Sequence, residues 1–269
     1  MFFQQKPSLK LEVPLIELKT KHEIEALRAA AQITAQTHAR LAEEIHAGVR
    51  LKDLDAIAEE FILARGATTL YKGIRQIPNQ RPFPGVITAS INHEICHGFP
   101  DGRILQEGDI VGIDIGLRYK GWCGDVCVTH MVGQVKPEVK KLVETTSESL
   151  QRGIAACIPG NRLGAIGAAI QSYAESEGYS VVREYGGHGI GRELWEDPFV
   201  PHIGPADRGP ILKAGMVLNI EPMLNIGKPY TRLMKDEWTV VTADGSLSAQ
   251  FEHTIAITEN GPEVLSILP

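Results

Sequence analysis

Apolar residues recur at helical spacing early in the chain. Between Lys21 and about Ala47 the residues are strong helix formers, and Ile24, Leu27, Ala31, Ala35 and His38 fall on one face. A second helix is expected from about Leu51 to Ala64, with Leu54, Ile57, Ala58, Phe61 and Ile62 turned inward. Arg65-Gly66 follows, a cationic residue and then a glycine stop. The same pattern returns later. Gly48 through Gly66 aligns without gaps on Gly160 through Gly178, every pair 112 positions apart. Gly48/Gly160, Arg50/Arg162, Leu51/Leu163, Ala56/Ala168 and Gly66/Gly178 are identical. A helix is expected before each copy, at about 21–47 and 136–156, so the chain reads as a duplication of helix, helix and strands.

Strict alternation marks the strands. Asp109–Leu117 and Gly121–Val132 alternate around Arg118–Gly121 and read as a hairpin. Met216–Asn225, Trp238–Thr242 and Gln250–Thr258 read as a second antiparallel group. Proline and glycine crowd Ile77–Gly85 and Pro198–Gly215, which are expected to be loops rimming a site. Residues 1–19 read as an extended, partly mobile arm, and 20–269 as one catalytic domain of the α/β class, in its α+β form.

Composition narrows the partners. A net charge of -6 and no lysine- or arginine-rich block argue against nucleic acid. Charges and prolines interrupt the N-terminus where a signal peptide needs an apolar run, and no stretch approaches the ~18 apolar residues that cross a membrane. Cys96, Cys123, Cys127 and Cys157 form no C-x-x-C pair, so a reducing, cytoplasmic setting with free thiols is expected.

Chemistry gathers in five residues. A four-residue hairpin loop at 118–121 would set Asp114 directly opposite Asp125; a two-residue Lys120-Gly121 loop would set them diagonally on the same face. Like charges so placed repel, and a cation between them is the economical answer. Glu221 lies within the apolar run Val217–Met223, and Glu252 just before the apolar run that starts at Thr254. Buried unpartnered glutamates cost several kcal/mol or take up a proton. His188, in Gly186-Gly187-His188-Gly189-Ile190-Gly191, supplies a nitrogen donor on glycines that let the backbone come close. That run does not fit G-x-G-x-x-G, so a dinucleotide site is set aside. Four carboxylates and an imidazole suit two divalent ions, with cobalt, manganese, iron and zinc all open.

Ile95-Cys96-His97-Gly98-Phe99-Pro100, Gly112-Ile113-Asp114, Gly124-Asp125, Gly187-His188-Gly189-Ile190-Gly191, Ile220-Glu221-Pro222-Met223 and Ser248–Thr254 resemble, in order and spacing, the motifs of type I methionine aminopeptidases. The likeness runs from about residue 16 to 265. It implies the pseudo-twofold pita-bread fold, in keeping with the duplication. It implies that Asp125 and Glu252 bridge two metal ions, with Asp114 on one ion and His188 and Glu221 on the other. Glu221 would also relay protons, and His97 would contact the substrate beside the scissile amide. Trp238 would help wall the active site, and Asn92 would belong to a monovalent-cation site. The implied substrate is the N-terminus of a peptide or nascent chain, met by a cytoplasmic monomer in transient contact with the ribosome.

Two departures stand out. Members usually carry a second histidine in a pattern close to GHGIGxxxHExP, and Trp195 occupies its place here. Indole keeps one N–H but cannot take up a proton. His202 is nearby, but recruiting it would require realigning Glu196 and Pro198. In the segment matching the methionine pocket, Phe83 and Thr88 stand where tyrosine and cysteine are usual. An Xaa-Pro peptidase is a rival reading, disfavoured because only about 20 residues precede the first helix. A weakly catalytic or non-catalytic binding protein is the other, which Trp195 keeps open.

Overall fold

The computed structural model describes residues 16–267. Most of the expected arm, residues 1–15, lies outside the described residues. Its last residue is held fast: Lys19 is buried, donates its backbone N–H to Gly215 (2.7 Å) and its Nζ to Glu196 (2.8 Å). That ion pair ties the entry of the chain to the segment carrying Trp195.

Helix α1 (Lys21–Ala42) begins in a capping box between Thr20 and Glu23, which satisfies two orphan backbone donors. It stops short of Ala47. Residues 43–48 turn so that Gly48 can donate to the Leu105 carbonyl at 2.8 Å, a tertiary bond that overrides local helix propensity. Helices α2 (Leu51–Ala64), α3 (Pro137–Ala155) and α4 (Gly164–Ser176) follow, and each pair of helices leads into strands.

The duplication extends to backbone detail. Gly48 and Gly160 share φ values of +97° and +95°, and Gly66 and Gly178 have +71° and +89°, a left-handed region glycine enters freely. Gly48 bonds to Leu105 at 2.8 Å and Gly160 to Leu212 at 2.9 Å; Arg50 bridges Ile104 as Arg162 bridges Ile211. The loop after each copy therefore docks in the same way.

In the first half, Ile110–Tyr119 pairs with Trp122–Met131, Thr88–Ile91 and Thr68–Thr69 in an antiparallel sheet. Its two faces have different tasks. Val111, Ile113, Ile115 and Leu117 are fully buried in a cluster with Leu41, Leu51, Leu54 and Ile62 of α1 and α2. Each such side chain contributes about 1.5–3 kcal/mol by leaving water, which locks the strand's facing. The alternate positions, Gly112, Asp114 and Gly116, are thereby turned to the other half. In the second half, Val217–Ile220 lies between His253–Thr258 and Gly187–Gly189, with Gly261–Val264 and Glu196–Val200 at the edges. Leu218, Ile220, Ile255 and Ile257 pack with Leu142, Ile154, Ile166 and Ile170 of α3 and α4. Two three-stranded sheets flank these, one of Ser248–Gln250, Met223–Asn225 and Ser180–Val181, the other of Thr231–Leu233, Val240–Thr242 and Glu94–Cys96. No helix among the described residues is long and apolar enough to cross a membrane.

A buried histidine and its half-buried neighbour beneath the first sheet carry a pH dependence. His38 of α1 bonds through Nε2 to the Val126 carbonyl (2.9 Å) and stacks on His130, ring centroids 6.1 Å apart. Burial, and for His38 the nearby His130 and His253, push His38 down to about 3 and burial pushes His130 to about 4. Both are neutral in the folded protein, whereas the unfolded chain protonates them below about 6.5. Stability should therefore be lost as pH falls from about 6.5 toward 4, by up to about 1.4 kcal/mol per unit for each histidine. Urea midpoints of His38→Gln should fall less steeply over that window than wild type; parallel curves would refute the assignment.

Candidate metal centre

The hairpin closes on two residues. Tyr119 pairs with Trp122, leaving Lys120 (φ 49°) and Gly121 (φ 81°) as the loop, the two positive φ values that a type I′ turn requires. Asp114 accordingly opposes Cys127, and Asp125 opposes Gly116. Of the two registers open from the sequence, the diagonal one is realised, and the face-to-face pairing of a four-residue loop is not.

Gly116 leaves room that Tyr71 fills: a Cβ there would lie 2.8 Å from its ring. The Tyr71 hydroxyl sits 2.9 Å from Asp114 Oδ1 and 2.8 Å from Asp125 Oδ1, donating its proton between them. Nothing in the sequence singled out Tyr71. Its one trace is the glycine at 116, which vacates the face beside an aspartate.

The second pair of carboxylates sits where two strands break. The expected strand Met216–Asn225 is interrupted at Glu221-Pro222, and Gln250–Thr258 at Phe251-Glu252. One register runs through both breaks, with Ile220 opposite His253 on one side and Met223 opposite Gln250 on the other. Glu221 and Glu252 therefore face one another across the gap. Pro222 has no N–H to give the ladder. The freed groups turn to the first half: Glu252 donates its N–H to the Cys127 carbonyl (2.8 Å), and the Thr254 hydroxyl to the Asp125 carbonyl (3.1 Å). Thr129 donates its hydroxyl to the Gln250 carbonyl at 2.7 Å. These bonds sew the halves together at the level of the carboxylates. Neutral amides orient them, Gln250 donating to Glu221 Oε2 (3.1 Å) and Asn219 to Glu252 Oε1 (2.9 Å).

His188 pairs with Asn219 in the middle of a three-residue strand. A Cβ on Gly187 would meet the Asn219 carbonyl at 2.0 Å, and one on Gly189 the Asp197 carbonyl at 2.2 Å, so no larger residue fits on either side. His188 Nδ1 lies 2.9 Å from the Gly189 carbonyl and must donate to it. The unprotonated Nε2 is left facing Asp125 Oδ2 and Glu221 Oε1, each 3.7 Å away. Gly187→Ala should weaken divalent-cation binding by roughly tenfold to a hundredfold, the cost of misplacing a ligand's support, with the circular dichroism spectrum unchanged. Wild-type affinity in a calorimetric titration with manganese would reject that account.

Asp114, Asp125, His188, Glu221 and Glu252 line one cavity. Donor atoms of Asp125, His188 and Glu252 lie within 4.8 Å of one another. Burial pushes the Asp114 carboxyl up to about 6 and holds Asp125, Glu221 and Glu252 well above the ordinary carboxylate range, with the neighbouring carboxylates adding to it in those three. Among the described residues no lysine or arginine forms an ion pair with any of the four. Buried like charges without a protein cation, beside an unprotonated imidazole, form a donor set that fits divalent metal.

A second, more apolar chamber adjoins the first. Phe83, Thr88, Trp238 and Ile74 line it, with Tyr71, Asp114 and His97 at the boundary. Phe83 packs edge-on against Trp238 (5.2 Å between centroids) and Phe99 (5.4 Å), and Trp238 Nε1 donates to the Arg81 carbonyl (2.6 Å). Thr88 pairs directly with Asp114 across the sheet. His97, at φ 58°, lies edge-on to Tyr185 and is pushed down to about 3 by burial. Trp195 lines the carboxylate cavity rather than the apolar chamber. His202 stays outside both, its Nε2 accepting the Glu221 backbone N–H at 3.2 Å. Asn92 is also elsewhere, its carbonyl accepting from Ser248 (2.9 Å) and its side chain engaged with Asp109 and Ile110.

Residues 25–259 match the model of metallopeptidase family M24. The chain is 48% identical over 252 residues to methionine aminopeptidase 1 of Bacillus subtilis, covering 94% of this chain and 99% of that protein. It superposes on the crystal structure of methionine aminopeptidase from Thermotoga maritima with a TM-score of 0.90 at 38% identity, covering 94% of this chain and all of that one. An Xaa-Pro dipeptidase from Bacillus anthracis is more distant, with a TM-score of 0.73 and 25% identity, and only 62% of its chain is covered. Matched along almost its whole length by the family model and by named members, the chain belongs to metallopeptidase family M24 and, within it, to the methionine aminopeptidases, with their pita-bread fold.

Proposed function

We propose that this chain is a metallo-exopeptidase that removes N-terminal methionine from peptides or nascent chains, with two divalent ions held by Asp114, Asp125, His188, Glu221 and Glu252. The observation that carries the reading is the meeting of two unlike chambers at His97, one lined by buried carboxylates and one by Phe83 and Trp238. Asp125, Glu252 and His188, whose donor atoms already converge, would hold the ions together with Asp114 and Glu221. The donors admit cobalt, manganese, iron or zinc. When bound, such ions lower the pKa of water and polarise a scissile carbonyl.

The chain's own groups supply the remaining work. Glu221, steadied at Oε2 by Gln250, takes the proton of the attacking water and returns it to the departing amine. His97 holds the scissile amide. Phe83, Trp238 and Thr88 receive the methionine side chain, whose thioether suits aromatic edges. Trp195 borders the space where the developing oxyanion would lie. Tyr71 sets the spacing of Asp114 and Asp125. A monovalent cation near Asn92 is supported by the buried Ser248 hydroxyl, which has no hydrogen-bond partner among the described residues. We further read residues 20–269 as one catalytic domain, acting as a cytoplasmic monomer in transient contact with the ribosome.

Metal analysis together with turnover of Met-Ala and Xaa-Pro peptides tests this. Metal-dependent release of methionine from Met-Ala peptides is the expected result. Faster cleavage of Xaa-Pro peptides would reassign the specificity. Bound metal with no peptide cleaved would favour the binding-protein reading that Trp195 suggests.

A further inference from the structure

A groove of about 540 Å³ opens outward from the point where the two chambers meet. Its inner end is formed by His97 and Trp238, which also line the apolar chamber, and Tyr185 connects it to the carboxylate cavity. Its floor is one face of the small sheet. Thr231 and Leu233 alternate onto that face, and Val240 joins them as the direct partner of Leu233. Arg232, between them in the strand, belongs to the opposite face.

The groove is built and not merely left over. Gln80 accepts the Gln76 N–H at 2.7 Å and donates to the Glu237 carbonyl at 2.8 Å, and Glu237 accepts the Arg81 N–H at 3.1 Å. Glu237 holds φ 69°, a left-handed backbone uncommon outside glycine, kept there by these bonds and by the Asp236 turn beneath Trp238. The wall facing the groove is therefore fixed before anything binds. Glu184 and Glu237 both line the groove, and no lysine or arginine among the described residues does. Exposed Ile77 and Leu233 add apolar surface along it.

We propose that this groove binds the stretch of substrate that follows its first two residues, and that Glu184 and Glu237 make it select cationic over anionic side chains there. The inference rests on the reading of the site as that of an aminopeptidase. A chain whose first amide is held at His97 must leave the centre by an open route, and this groove begins at His97. Its size is that of sites that enclose drug-sized ligands, enough for about three or four extended residues. Two carboxylates lining the groove favour a cation bound in it and oppose a carboxylate. The apolar floor takes the aliphatic stem of a lysine or arginine.

The test uses metal-loaded enzyme and two hexapeptides, Met-Ala-Ser-Lys-Lys-Ser and Met-Ala-Ser-Glu-Glu-Ser, each also made with a reduced, uncleavable first bond. The cationic peptide should show a kcat/KM roughly fivefold to twentyfold higher at low salt, and its uncleavable form a Kd lower by a similar factor. Both ratios should shrink toward one in 0.5 M salt, where screening reaches only ~4 Å. They should shrink likewise in Glu184→Gln/Glu237→Gln, whose new amides can still accept the Arg81 N–H, and about halfway in Glu184→Gln alone. Equal Kd values for the two uncleavable peptides, or a preference that survives the double substitution, would overturn the groove assignment. Retained Kd discrimination with no cleavage of either peptide would uphold the groove and overturn the aminopeptidase reading.

Discussion

Asp125→Asn should cost at least about a thousandfold in divalent-cation affinity and in kcat/KM on Met-Ala peptides, while raising the melting temperature of the metal-free protein. The two effects have one cause. Asp125 is 3% exposed, and its carboxyl group is held well above its ordinary range by burial and by Glu252 and Asp114. A carboxylate whose folded pKa is raised destabilises the folded state at every pH above its unfolded value, so removing its charge relieves the metal-free protein at neutral pH. Asparagine keeps an oxygen that can accept from Tyr71. For a chain of this length each kcal/mol of relief corresponds to roughly 2–4 °C in Tm. The loss of a charged bridging donor acts the other way once metal is offered, and support residues alone already account for about tenfold to a hundredfold. Scanning calorimetry of apo and metal-loaded forms, with isothermal titration, checks both signs. A metal-free Asp125→Asn protein that melts lower than wild type would show that the carboxylate is stabilising by itself, and the cation reading of the cluster would lose its basis.

Trp195→His should raise kcat/KM on Met-Ala peptides by about tenfold to a hundredfold, mainly through kcat. Trp195 lines the cavity that holds the five candidate ligands, at the position where the motif resemblance drawn from the sequence implies a histidine. A single well-placed donor to a developing oxyanion is worth ~10²–10³ in rate, and indole can offer an N–H but no exchangeable proton of suitable pKa. A gain confined to kcat identifies a group acting in the transition state, whereas a change in KM alone would point to a wider pocket. Steady-state kinetics on Met-Ala-Ser with the metal content matched between variants makes the comparison. Unchanged or lower activity would end this explanation of Trp195.

What could be read beforehand follows from how local each signal is. The second helix kept its bounds because Leu51–Ala64 is closed by Gly66, whose positive φ is a property of the residue itself. The five side chains singled out from the chain do line one cavity, since buried carboxylates without cations are conspicuous in any apolar run. Register was half legible: two loop lengths put Asp114 and Asp125 on one face, and only the observed Lys120-Gly121 turn settles which of them is used. The break at Glu221 had a local sign in Pro222, which the apolar residues around it masked, whereas the break at Glu252 was not legible, because it is made by bonds to residues more than a hundred positions away. Tyr71 escaped for the same reason. Its partners lie 43 and 54 residues off, and no spacing near position 71 announces them. The first helix ended early through another distant bond, from Gly48 to Leu105.

The seam between the halves has its own consequence. Asp114 and Asp125 stand on one side of it and His188, Glu221 and Glu252 on the other, while each half keeps a separate apolar core against its own helices. Proteins open in cooperative pieces whose free energies lie below that of global unfolding. Here the seam is closed by the hydrogen bonds around residues 250–254, by the pairing of Val240 with Cys96, and by a buried cluster in which Leu27, Tyr71, Phe83 and Trp122 meet Ile190, Val217, Trp238 and Ala256, so an opening that scatters the five donors must also expose that cluster. The site is thus as durable as the joint between the halves, and metal affinity works as a gauge of whether the molecule is closed.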